Sequence, residues 1–114
     1  DDAYEKASPE AYLDLAEAID AAPIDQFSLE DAHRPNDLAA LLPQFRETTI
    51  VLGCVAIARS RIETVDEMRD RLAKALRHID RERLVAAPDC GLGYLGRDLA
   101  TAKLRVLCEA ANSV

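Results

Sequence analysis

The segment TTIVLGCVAIA, running from Thr48 to Ala58, restricts this chain more than any other stretch. It is continuously apolar and rich in β-branched side chains. It therefore reads as a strand buried on both faces, the signature of a parallel sheet covered by helices. A parallel sheet needs a crossover before its next strand, so the flanking segments have to supply helices.

They do. Ser8-Pro9-Glu10 reads as a helix start, with a capping hydroxyl, Pro at the first helical position and an acid in the first turn. Tyr12, Leu15, Ala16 and Ile19 follow at helical spacing, and Pro23 stops the helix. Gln26-Phe27-Ser28-Leu29 alternates like a strand and ends at Glu30-Asp31. Pro35-Asn36-Asp37 opens a second helix with Leu38, Leu41, Leu42 and Phe45 on one face. Thr64-Val65-Asp66-Glu67 is a capping box, followed by a stripe of Val65, Met68, Leu72, Leu76 and Ile79. Leu84-Val85-Ala86-Ala87 is a third short buried strand. A glycine-rich turn leads to a last helix carrying Leu99, Ala102, Val106 and Ala110.

The order α-β-α-β-α-β-α implies right-handed crossovers and an α/β fold of parallel β/α units. A complete (β/α)8 TIM barrel takes roughly 250 residues. The 114 residues here make about half of one, or a very small open sheet, and are expected to form a single partial domain over residues 1–114. The chain opens at Asp1-Asp2 without Met, which reads as a fragment or a processed product.

Aromatics are 4% of the chain, with no Trp, so the core is expected to be aliphatic. A net charge of −7 repels phosphate backbones and anionic lipid, which argues against nucleic acid and membrane as partners. No apolar run is long enough to span a bilayer, and no signal peptide opens the chain. Cys54, Cys90 and Cys108 are odd in number and form no close pair, which points to a reducing cytoplasm without disulfides.

In parallel β/α folds chemistry gathers where strands end. The three ends here are Glu30-Asp31 with His33 just beyond, Arg59-Ser60-Arg61, and Pro88-Asp89-Cys90-Gly91. Glu30 is a metal ligand, a general base or a solvated acid, and His33 a ligand or a surface histidine. Cys90 follows a buried strand and lies near a helix start, which favours a thiolate; it is a reactive or ligating thiol, or a gap-filler. Cys54 and Cys108 are expected to be core thiols. His78 lies near a helix end, where its charge suits the dipole, and takes no catalytic role. Gly91-Leu92-Gly93-Tyr94-Leu95-Gly96 matches a dinucleotide-binding pattern, but too few residues follow to complete the required β-α-β unit.

Pro88-Asp89-Cys90-Gly91-Leu92 after a short apolar strand, preceded by Arg81-Glu82-Arg83-Leu84, closely resembles the end of the cobalamin-independent methionine synthase family. Phe27-Ser28-Leu29-Glu30 resembles the strand ending in that family's zinc-binding glutamate. The likeness runs from about Pro9 to Ala111, with the strand from Thr49 to Ser60 and the helix from Val65 to Ile79 in matching order.

The resemblance implies a TIM barrel that transfers a methyl group from methyltetrahydrofolate to the thiol of homocysteine at Zn²⁺. It makes Glu30 and Cys90 metal ligands and puts Arg59, Ser28 and Asp89 on the substrate side. The family's His-x-Cys ligand pair has no match and would lie just before Asp1. Where the family carries a proton-donating histidine this chain places Arg59, a carboxylate or sulfonate clamp. That departure raises a zinc-dependent coenzyme M transferase-like thiol alkyltransferase as an alternative. Two further readings are a non-catalytic barrel fragment that associates with the rest of a barrel or with its own copy, and a small open ligand-binding module.

Overall fold

The computed structural model describes residue 8 and residues 10–114, so the expected role of Pro9 lies outside the described residues. The elements are α1 (Glu10–Ala21), β1 (Gln26–Leu29), α2 (Leu38–Leu41), β2 (Thr49–Val55), α3 (Val65–Ala75), β3 (Leu84–Pro88) and α4 (Arg97–Ala111). One 3-10 turn, Leu42–Gln44, follows α2, and another, Arg81–Arg83, precedes β3. The three strands are parallel in the order β1-β2-β3, with Ser28, Val51 and Val85 side by side.

Local chemistry sets the boundaries. The Ser8 hydroxyl accepts from the Glu10 N–H at 3.3 Å, starting α1. At the other end of α1 the Asp20 carboxylate accepts from the backbone N–H groups of Arg46, Glu47 and Thr48, each at 3.0 Å, and from the Thr48 hydroxyl. These bonds, that from Arg46 foremost, hold the Asp20 carboxyl far below the usual carboxylate range. They fix the chain at the entry to β2. The second helix is shorter than its apolar face predicts. Asp37 caps it, accepting from the Ala40 N–H at 3.2 Å. Pro43, which has no N–H, falls within the following turn, and the chain tightens to 3-10 geometry there. Leu41, Leu42 and Phe45 still reach the core.

The capping box of α3 is complete: Thr64 Oγ1 accepts from the Glu67 N–H at 3.1 Å, and Glu67 accepts from the Thr64 N–H at 2.7 Å. The Arg61 guanidinium, aided by that N–H, holds the Glu67 carboxyl down at about 2. The helix ends at Ala75 rather than Ile79, although Ile79 remains buried.

Among the described residues, one cluster of buried side chains joins all four helices to the sheet through Leu29, Ile50, Leu52 and Cys54. Phe27 stacks on Phe45 and meets Tyr12 edge-on at its margin. On the opposite sheet face Ser28 is exposed, Val51 is only half-buried and Val85 is 42% exposed. The expectation that β2 is covered by helices on both faces is therefore corrected: helices cover one face. Helices outside and a bare inner face are the layering of a barrel wall.

The phase of α4 also differs from its expected stripe. Lys103, Leu107 and Ala110 are the buried positions, while Leu99, Ala102 and Val106 are half-buried. Apolar residues ring much of this helix, so its sequence leaves the inward direction open. The same rotation leaves Cys108 exposed, correcting its assignment to the core, whereas Cys54 is buried as expected.

Candidate active site at the strand tips

All three strands end at the same rim, and buried polar groups tie the loops leaving it together. The Asp89 side chain is 0% exposed. Its Oδ1 accepts from the backbone N–H groups of Asp31 at 3.2 Å and Ala32 at 3.0 Å. Its Oδ2 accepts from the His33 N–H and faces the His33 Nδ1, both at 2.8 Å. A carboxylate offers about four lone-pair sites, and all are used here. Asp89 thus clamps the loop after β3 to the loop after β1, across the tip of β2.

Gly53 makes that crossing possible. A Cβ at this position would lie 2.0 Å from Asp89 Oδ1 and 2.9 Å from Asp89 Cα. The strand register shifts between Gly53 and Val55, so the bulge and the missing side chain let Asp89 pass over β2.

His33 extends the clamp. Its Nε2 faces the Ala58 N–H at 3.0 Å. Since that N–H can only donate, Nε2 accepts, and the neutral ring carries its proton on Nδ1, directed at Asp89. The loop after β2 is fixed at its base by α4. Lys103, 0% exposed, donates from Nζ to the carbonyls of Ala56 at 3.1 Å and Arg61 at 2.6 Å and pairs with the Glu63 carboxylate at 3.1 Å. Glu63 also accepts from the Ala56 N–H at 3.1 Å. In the loop after β1, Asp31 is buried against Arg71 at 2.8 Å and accepts from the Asn36 N–H at 2.7 Å.

The sequence-derived site residues fall as follows. Glu30 directly follows β1 and is partly exposed, with Oε1 3.5 Å from His33 Nδ1. Ser28, two residues earlier, is exposed on the bare sheet face. Cys90 is exposed in a bend directly after Asp89. It is not at a helix start, because α4 begins only at Arg97. Arg59 is exposed and lines an open cleft of about 570 Å³ with Ala32, Asn36 and Arg71. One ligand atom from each of Glu30, His33 and Asp89 lies within 4.8 Å of the other two, while Cys90 stands outside that trio. The trio is a hydrogen-bond network: Asp89 has no lone pair left for a metal, and His33 uses both ring nitrogens.

Sequence reading offered His33 only as a ligand or a surface histidine, not as a bridge between Asp89 and Ala58, and it missed Gly53, Glu63 and Lys103. An isolated Gly inside a strand pattern does signal close backbone approach, and so pointed at Gly53. Nothing local to Lys103 announces its burial.

Residues 8–113 match the family model described as "Cobalamin-independent synthase, Catalytic domain". A methionine synthase of Pyrococcus abyssi is 35% identical over 90% of this chain and 30% of its own length. One from Methanothermobacter thermautotrophicus is 33% identical over 79% of the chain and 30% of its own length. The structure of a B12-independent methionine synthase from a Shewanella species, in complex with selenomethionine, matches with a TM-score of 0.83 and 28% identity, over 90% of this chain and 30% of that one. The chain thus spans about 30% of the length of these two curated relatives. With the profile, the relatives and the barrel-wall layering in agreement, the chain belongs to the cobalamin-independent synthase catalytic-domain family.

Proposed function

We propose that this chain supplies part of the active site of a methionine synthase, transferring a methyl group from methyltetrahydrofolate to the thiol of homocysteine. One observation carries the reading. The Asp31 N–H donates to the Asp89 carboxylate at 3.2 Å. Glu30 and Cys90 are the chain neighbours of that bonded pair, which supports reading the carboxylate and the thiol from these two strand tips as donors to one ion.

That donor set suits Zn²⁺, which accepts carboxylate oxygen and thiolate sulfur and usually takes four ligands. Glu30 and Cys90 would hold it, with further donors from outside the described residues. A zinc ion held there would supply Lewis-acid chemistry that favours the thiolate form of a substrate thiol. Arg59 offers a planar cation for the carboxylate of the amino-acid substrate. Ser28 lines the bare face leading to the rim. Asp89 acts through position, holding the two ligand-bearing loops in register.

The relatives favour the methionine synthase reading over the coenzyme M transferase and self-associating fragment alternatives. No helix among the described residues is long and apolar enough to cross a membrane, in keeping with the cytoplasmic setting proposed here.

The test is zinc retention. Cys90→Ser and Glu30→Ala, each made in the full chain, should weaken zinc affinity by more than about tenfold, since even residues that only orient a ligand cost that much. Metal analysis after dialysis against a chelator reads it. Zinc content unchanged by both substitutions would remove the assignment.

A further inference from the structure

We propose that His33 is a positioning residue for the substrate-facing loop after β2, setting the place of Arg59. The inference rests on the function proposed above for Arg59 but stands on its own geometry. The base of that loop is fixed by Lys103 and Glu63, which engage Ala56 and Arg61. Its tip is residues 57–60. Among the described residues, the hydrogen bond that anchors this tip runs from the Ala58 N–H to His33 Nε2. Arg59 is the next residue along.

His33 can hold that tip because it is itself held. Its Nδ1 is pinned by Asp89 at 2.8 Å, its backbone N–H by the same carboxylate, and its side chain is only 17% exposed. Orientation therefore passes from β3 through Asp89 to His33, and from His33 to the backbone beside Arg59. A lysine or arginine at position 33 could not serve, because neither carries an acceptor. The ring does so only in the tautomer with the proton on Nδ1.

Two substitutions separate the ring's two bonds. In His33→Asn the short amide can still donate to Asp89 but does not reach Ala58. In His33→Gln the longer side chain puts its oxygen where Nε2 stood and can accept from Ala58. Nitrogen-15 spectra of the wild type should show His33 protonated on Nδ1 and bare on Nε2. The Ala58 amide should exchange roughly tenfold faster in His33→Asn and near the wild-type rate in His33→Gln.

With homocysteine as substrate, KM should rise about fivefold in His33→Asn with kcat unchanged, and recover in His33→Gln. Combining His33→Asn with Arg59→Gln should add little to the KM effect of Arg59→Gln alone. A proton on Nε2, an Ala58 amide indifferent to His33→Asn, or KM effects that simply add would overturn the proposal. So would loss of zinc from His33→Asn with Ala58 still protected, which would make His33 a ligand. Failure of the zinc assignment to Glu30 and Cys90 would show as unchanged metal content in their own variants, with the Ala58 exchange pattern intact.

Discussion

Single residues at the rim act through what they leave open as much as through what they bond. Gly53 is the sharpest case, because its missing Cβ is the space that Asp89 occupies. Gly53→Ala places a methyl against the Asp89 backbone and carboxylate, neither of which can swing away while four donors hold the side chain. The expected cost is roughly 1–3 kcal/mol, the usual range for overpacking. Urea denaturation would show the midpoint shift, and a stability equal to wild type would mean that Asp89 does not cross β2 here. Cys54 differs from the other two thiols at this scale. Burial pushes it up to about 12, so it acts as a core side chain and not as a nucleophile.

At the scale of elements, Lys103 links α4 to the loop after β2. It is a fully buried ammonium with three acceptor groups around it, two carbonyls and a carboxylate. Lys103→Met keeps the apolar stem but leaves the Glu63 carboxylate without its counter-charge, with the Ala56 N–H still donating to it, and removes the ammonium from two carbonyls. Removing one partner of a buried pair costs roughly 3–5 kcal/mol, and Glu63 is slightly exposed, so the lower end is expected. Chemical denaturation would measure it, and a loss below about 1 kcal/mol would mean water replaces the ammonium readily. The alternation of elements was legible from hydrophobic periodicity and capping signals, down to Thr64 and Glu67. The direction that α4 faces was not. A lysine at the buried position makes sense only once a loop from elsewhere brings it carbonyls and a carboxylate.

At the scale of the whole molecule, stability toward acid gathers on carboxylates that bind backbone. Asp20 is charged in the folded protein well below the pH where a free carboxyl would protonate. Its contribution is therefore complete above about pH 4, the unfolded value, and is lost as pH falls below that. Asp20→Asn should lower the melting temperature near neutrality and flatten its dependence on pH between about 4 and 2. Melting curves across that range would show parallel slopes for the two proteins if the Asp20 bonds do not form. The sheet, three strands with helices on one face only, leaves β1 and β3 as edges among the described residues. Such edges and a half-bare inner face are surfaces that pair with further strands.

Sequence alone determined the parallel α/β order, the three strands and the rim where they end, because periodicity and caps are local and survive without tertiary context. It also offered Glu30 and Cys90 as candidate donors on separate tips, through motifs that each span only a few residues. Only the tertiary structure decided that Asp89 bonds the Asp31 amide beside Glu30, that His33 reaches Ala58, and that Lys103 lies inside. Those contacts join residues 25 to 58 positions apart, and no local pattern encodes which distant donor will meet which acceptor once the strands align.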